Sequence, residues 1–596
     1  MADPAPTEPA ATELTSYNAA SGDAGHAPEP PVEHAVDPVT GLSKTEKWLL
    51  WPSMVASFYV LGLNSFTMAV YLINAASLFN STVQYSTLAV IESMILAVGQ
   101  PPFAKLADII GRPWSWVFSL GFYVLGTIIM AACRDFATLA TGVVFYAIGY
   151  TGITFLQQLV LADLVPPHRR VLVSNLLLFH YFINFGVAGK ITGALEPDRW
   201  RWGPGMFTIL MPVVNAPIVV VLFLQQHKQR RSAGYERAVS RFHGLSLPGC
   251  LWELALEFDL LGLFLISAAF CLLLVPLTIA TEAPHGYSSG YIVAMFVLGA
   301  AALVAWPLVE LAVPRPLVHL REFALNIDIV VPALIYAVDQ FSTTLSYQPA
   351  LQWVEVTFGY TTSNAVYFYY AQSLSNVAFS MVAGAVGMYT RRYKWVSFFG
   401  GCLRVLGVGL MLRYRTTGST TAQLVIPQVI QGIGGGMLTA NLLVAAQQSV
   451  AHARVAIVTA VLLLIINLGD AIGSAVTGAV QQNLQGLLHR YVDPVVNGNN
   501  ATVATLVYEG GAAAAELFPL GSPVRNAIAA AWSANMHQLL IGALVSGIVN
   551  ALMCLGMPDR QLASETQNNV TDERLGVSVD PQAAQASPEK KGEPTV

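Results

Sequence analysis

Charge is scarce in this 596-residue chain: Asp, Glu, Lys and Arg together make up 11%, against 54% hydrophobic residues. A soluble globular surface, with about a quarter of its residues charged, is excluded by that scarcity. Basic residues do not outnumber acidic ones, 30 against 35, and a net charge of −5 offers no general field for nucleic acid. The five cysteines, Cys133, Cys250, Cys271, Cys402 and Cys554, lie in or beside apolar segments at spacings that fit neither a metal site nor a disulfide framework. They are expected to pack, and no metal or other cofactor is expected. A phosphate loop and a convincing catalytic constellation are both missing, which argues against an ATP-driven pump or a membrane enzyme. Residues 1–43 have neither the apolar core nor the cleavage pattern of a signal peptide. They and residues 559–596 are expected to be disordered cytosolic tails, with the first span acting as the membrane signal.

What the chain has in abundance is long apolar windows. They fall near 50–75, 86–106, 114–133, 137–162, 172–194, 205–225, 259–280, 290–312, 328–354, 363–389, 395–412, 421–449, 455–482 and 536–556. Each window can cross a hydrocarbon core of roughly 30 Å as a helix whose backbone hydrogen bonds are satisfied internally. The fold class expected is therefore an all-α membrane bundle of fourteen spans. With the amino terminus in the cytosol, Lys105, Arg112, Arg169, Arg170, Lys228, Arg230, Arg231, Arg237, Arg241, Arg315, Arg321, Arg391, Arg392, Lys394 and Arg454 all fall on the cytosolic side. That excess sets the orientation, and an even number of spans returns the carboxyl terminus to the cytosol. The sequons at Asn80 and Asn500 then lie outside and the one at Asn569 inside.

A repeat runs at a spacing of about 280 residues. Ile148-Gly149 matches Ile433-Gly434; Ile183-Asn184-Phe185-Gly186 matches Ile466-Asn467-Leu468-Gly469; the basic loops around Arg112 and Arg391 share the offset. Residues 48–226 and 321–558 are then two related six-helix halves, the second with an extracellular loop at 483–535. Residues 227–320 hold a cytosolic linker and two inserted spans. Such repeats place a substrate site near the bilayer midplane, between the halves.

Few groups inside the spans can do chemistry. Tyr336, Asp339, Ser342, Thr343 and Ser346 recur at helical spacing as one polar stripe, which must face protein or water. Asp339 is the first candidate to carry a proton, with Asp470 and Glu92 next; a structural hydrogen-bond role for Asp339 is the competing reading. The following span has a comparable stripe, Tyr369, Gln372, Ser373, Asn376 and Ser380; the two faces are expected to line one cavity, with Tyr336, Ser342, Thr343, Tyr369, Gln372 and Asn376, and Asn184 and Asn467 from the repeat, as candidate substrate contacts. Asp108, Arg112, Asp163, Arg169, Arg170, Arg391 and Arg392 at the cytosolic span ends are candidate gating charges, able to hold the halves together while the site faces outward.

The loop residues Ala104, Asp108, Gly111 and Arg112 resemble the signature between spans 2 and 3 of the major facilitator superfamily. Within it, the chain is most similar to the fungal siderophore-iron transporters, which have fourteen spans. The likeness covers residues 48–558 and is carried in order by Asp163 before Arg169-Arg170, Arg201 to Met206, Asp259 to Gly262, Arg391 to Trp395, Gln431 to Gly436, Val455 to Ala460 and Ala471 to Ser474. The resemblance implies a major facilitator fold and proton-coupled import of a ferric siderophore by alternating access, in the plasma membrane or an endosomal or vacuolar membrane. The partners implied are the small-molecule solute, protons and the lipid bilayer, with the chain working as a monomer. It further implies that Phe518, Arg525 and Trp532 belong to a final extracellular loop associated with solute uptake, although the family usually has tyrosines where Phe518 and Trp532 stand. The family also tends to have a glutamate at the place of Asn467, one helical turn from Asp470. The alternative is an exporter of drugs or thiol peptides such as glutathione on the same fold.

Overall fold

The computed structural model describes residues 43–79, 85–165, 177–195, 199–231, 258–280, 283–313, 326–390, 392–447, 455–496 and 501–559, with isolated positions at 173, 249, 252, 253, 255 and 256. The tails expected at 1–43 and 559–596, apart from Ser43 and Asp559, lie outside the described residues, as do Arg169, Arg170, Arg391 and the three sequon asparagines.

The described chain is helical, with no β-strand element among the described residues. The first half contains α1 (Lys44–Leu78), α2 (Tyr85–Ile109), α3 (Arg112–Ala132), α4 (Phe136–Leu164), α5 (His180–Leu195) and α6 (Trp202–Arg231). Two inserted helices follow, α7 (Leu260–Ile279) and α8 (Gly290–Ala312). The second half contains α9 (Ile327–Tyr347), α10 (Ala350–Phe358), α11 (Thr362–Thr390), α12 (Lys394–Tyr414), α13 (Thr421–Gln447), α14 (Val455–Gln482), α15 (Leu484–Val492), α16 (Ala501–Ala515) and α17 (Pro523–Leu555). Among the described residues eleven stretches are long and apolar enough to cross a membrane. Helices α5, α11 and α13 occupy the remaining three expected windows.

Polar residues set the helix ends. Ser43 and Glu46 form a reciprocal cap at the start of α1, and Glu46 also accepts from Lys228 at 2.5 Å and Gln225 at 2.9 Å, which ties the first and sixth helices. Asp135 caps α4 by accepting the Thr138 amide at 2.7 Å, a bond that holds its carboxyl below the usual carboxylate range. Pro349 at the junction ends α9 and separates off α10. The last helix starts at Pro523, well before its apolar window, because Ser522 caps it and an alanine-rich stretch prolongs it.

The two halves pack alike. In the first, α1 lies against α5 and α6, α3 against α4 and α6, and α2 against α4; in the second, α9 lies against α14 and α17, α12 against α13 and α17, and α11 against α13. Close contacts follow the same correspondence. A Cβ at Gly149 would fall 2.1 Å from the Tyr123 amide and one at Gly434 2.5 Å from the Arg404 amide. A Cβ at Gly126 would fall 2.2 Å from the Tyr146 amide, as one at Gly407 would fall 2.6 Å from the Gln431 amide. The halves touch each other through α2 with α14 and α5 with α11, pairs that exchange under the same relation, and α7 rests on both α2 and α14. Two six-helix halves and an inserted pair therefore make up the bundle.

Replacing Gly434 by Ala should destabilise the protein by about 1–3 kcal/mol, because the methyl has only backbone to displace. Gly121→Ala, where nothing lies within 4 Å, is the control. Thermal unfolding in detergent distinguishes them, and equal stability of the two variants would show that this contact is loose.

Candidate functional site

The seam between the halves is sealed toward the face on which α1 ends, at Leu78. Tyr370 donates to the Ser65 carbonyl at 3.0 Å and lies against Phe66 with ring centroids 4.2 Å apart. Ser363 donates to the Gly189 carbonyl at 2.7 Å, and Phe185 meets Tyr367 at 5.5 Å. Tyr347 stacks on Tyr369 at 3.9 Å beneath this layer. Aromatic faces supply large contact area in such a seam.

An acid sits in the same seam. Asp470 of α14 accepts from Ser93 of α2 and from Thr344 of α9, both at 2.5 Å, so one carboxylate joins both halves. Glu92, beside Ser93, lies within electrostatic reach of Asp470. Asn184 donates to the Tyr59 carbonyl at 3.0 Å, whereas Asn467 donates within its own helix to Leu463 at 2.8 Å.

The stripe on α9 does not face the seam as a unit. Asp339 is fully buried inside the second half, where Arg404 donates to it at 2.5 Å and Asn550 at 3.2 Å. Ser342 donates to the Ala543 carbonyl of α17 at 2.7 Å, and Thr343 to the Asp339 carbonyl in its own helix at 2.8 Å. Half-buried Tyr336 pairs with Thr439. Asp339 is thus held by a cation and does not open on a central cleft, the consequence of an arginine in α12 that also needed a buried partner. On α11, Tyr369 and Gln372 are buried, Gln372 accepting from Ser373 at 3.3 Å, while half-buried Asn376 lies beside Gly435.

The expected capture loop also differs. Trp532 is 3% exposed and Arg525 2%, the latter donating to the Glu355 carbonyl at 3.3 Å; half-buried Phe518 packs on the same core. Neither Trp532 nor Arg525 offers a face to a ligand in this conformation, since α15 packs over α17 and α16 bears on α15 and α10. Among the gating candidates, Arg112 starts α3 after Gly111, whose φ of 89° suits glycine, and Arg392 donates to Asp559 at 3.4 Å. The side chains of Asp108 and Asp163 lie outside the described residues, as do Arg169, Arg170 and Arg391.

Two residues escape a reading by stripes. Arg404, 2% exposed, keeps Nε and Nη1 without a hydrogen-bond partner; Arg415, 1% exposed, donates to the Ser346 carbonyl at 2.5 Å and lies over the Trp353 ring. The signal was present: an ionisable residue inside an apolar helix is costly, so Arg404 alone marks its position.

The arrangement is that of a known class of carriers. A sequence model of the Major Facilitator Superfamily matches residues 50–318. The chain is 33% identical to MFS siderochrome iron transporter C of Aspergillus fumigatus, over 84% of its own length and 81% of the relative's, and 32% identical to siderophore iron transporter mirC of Emericella nidulans, over 84% and 82%. It belongs to the siderophore iron transporter family of the major facilitator superfamily. In fold, this family member also matches a POT family transporter solved in complex with 5-aminolevulinic acid, with a TM-score of 0.54, 14% identity and coverage of 87% and 98%. It is a multi-pass membrane transporter, not an enzyme.

For the transporter, Arg404→Ala leaves the Asp339 carboxylate buried without its counter-ion and should cost about 3–5 kcal/mol. A melting temperature equal to wild type would reject that pairing. Trp532→Ala should cost about 3–5 kcal/mol through lost packing and so lower surface abundance. A variant that keeps full abundance and loses only solute capture would instead restore the capture role.

Proposed function

We propose that this transporter imports ferric siderophores together with protons by alternating access, with both termini in the cytosol and the Leu78 face outward. The relatives named as siderochrome and siderophore iron transporters, which the chain matches over most of its length, support the solute class. The observation that carries the coupling is Asp470, hydrogen-bonded across the seam to Ser93 with Glu92 beside it. Moving one charge through 100 mV is worth about 2.3 kcal/mol, so a proton bound within the spans gives solute uptake a driving force. With a carboxylate on each half, one bound proton removes the repulsion that would otherwise part α2 from α14. Losing the proton restores the repulsion and favours opening of that face. The sealed state described above is the one from which solute would leave inward. Asn376 and Tyr336 are proposed to contact the solute from the second half, and Asn184 from the first. The resident membrane is proposed to be the plasma membrane or an endosomal or vacuolar membrane, and the monomer is proposed to be the working unit.

Glu92→Gln and Asp470→Asn should each lower acid-driven accumulation of a radiolabelled ferric siderophore at least tenfold in cells lacking other carriers. Exchange of internal for external solute should persist. Accumulation that keeps its wild-type size and pH dependence in both variants would remove these two acids from the coupling.

A further inference from the structure

The two seams of the bundle correspond, yet the inserted helices treat them differently. Helix α7 packs on both α2 and α14, whereas among the described residues no third helix lies along both α5 and α11. Their chemistry differs in the same sense. The covered seam contains Glu92 and the bonded pair Ser93 and Asp470, while neither α5 nor α11 has an acidic residue. The extra helix thus lies where the acids are.

From Leu260 to Ile279, α7 has no ionisable side chain apart from the Cys271 thiol, and Ile266, Phe270 and Leu274 follow one another a turn apart along one face. Ile266 packs with Ala97 and Val98 of α2 and Leu464 of α14; Leu274 packs with Val90 and Met94 of α2 and Ala471 and Ala475 of α14. Phe270 belongs to both groups, so the contact is continuous along the span. Thr278 completes it, accepting from Thr87 at 2.9 Å and, through its carbonyl, from Gln482 at 2.6 Å. Ser93 and Asp470 are each one position from this wall, next to Met94 and Ala471. The other ionisable groups within electrostatic reach of Glu92 are phenols, Tyr85 of α2 and Tyr146 and Tyr150 of α4, and α9 brings the Thr344 hydroxyl to Asp470. Hydrocarbon offers no hydrogen bond and makes an acid beside it costly, and a file of water there would let protons bypass the space between the halves.

We infer that α7 is the insulating wall of these acids: its face of Ile266, Phe270 and Leu274 keeps lipid and water out of the seam between α2 and α14, so that protons reach Glu92 and Asp470 only from between the halves. None of the three side chains handles a proton; they act by exclusion. The inference rests on the reading of the two acids as proton carriers and gives the inserted pair a task within it.

The test uses full-length protein in liposomes with a trapped pH-sensitive dye, an imposed pH gradient and no solute. Phe270→Ala with Leu274→Ala opens a gap beside carboxylates, which takes up water, and should raise the proton flux at least tenfold over wild type. Phe264→Ala, on the lipid side of α7 with 67% exposure, should leave the flux unchanged. Adding Glu92→Gln and Asp470→Asn to the wall variant should return the flux to the wild-type level. A wall variant as tight as the wild type, or a leak that ignores the loss of both acids, would overturn the inference. The unaltered protein supplies a second reading that does not depend on a variant folding. Cys271, packed on the seam side of α7, should react with a bilayer-soluble maleimide at least tenfold more slowly than exposed Cys402. Equal rates would show that side open to lipid and would overturn the wall as well. Siderophore accumulation without proton entry would refute the coupling proposed above while leaving the flux comparison intact.

Discussion

In hydrocarbon a backbone amide has no water to turn to, so every helix must satisfy its own polar groups and helices hold one another only by approaching closely. Glycines facing bare backbone at Gly126, Gly149, Gly407 and Gly434 are where this bundle meets that requirement. Because the contacts recur at equivalent places, they fix two copies of one six-helix arrangement, and the relation between copies leaves a seam where α2 meets α14 and α5 meets α11. A carrier follows from that geometry. The seam is the one place where polar side chains can meet across the bundle without breaking either half.

Polar groups are accordingly sorted by location. Those inside a half are paired permanently, as Asn64 is with Tyr123 and Asp339 with Arg404. Those at the seam join partners that belong to different halves, as Asp470 does with Ser93 and Tyr370 with the Ser65 carbonyl. Loss of a bond of the first kind leaves an unpaired charge or dipole in a low-dielectric interior.

The fold was largely legible in the sequence, because spans announce themselves by length and hydropathy and the Ile-Gly and Ile-Asn-x-Gly pairs revealed the repeat. The site was legible only in part. Periodicity correctly put Tyr336, Asp339 and Ser342 on neighbouring positions of α9, but a helix in a bundle is surrounded by protein, and a polar stripe can turn toward a neighbour as readily as toward a cleft. Arg404 turned Asp339 inward, and spacing within one helix contains no information about a partner 65 positions along the chain. Trp532 and Arg525, assigned to solute capture by the family resemblance, are buried in this conformation, and a resemblance in sequence contains no information about a short helix such as α15 packing on α17. Asp470 and Glu92, chosen only for being acids in spans, prove to be neighbours at the seam.

Thr278, near the end of the inserted helix α7, receives a hydrogen bond from Thr87 of α2 at 2.9 Å and gives its carbonyl to Gln482 of α14 at 2.6 Å. A single residue of the extra hairpin is thereby stitched to both halves. Any parting of the halves at this end would have to break one of these two bonds. The two added helices thus brace the seam from one flank, although the halves they lie against are built alike.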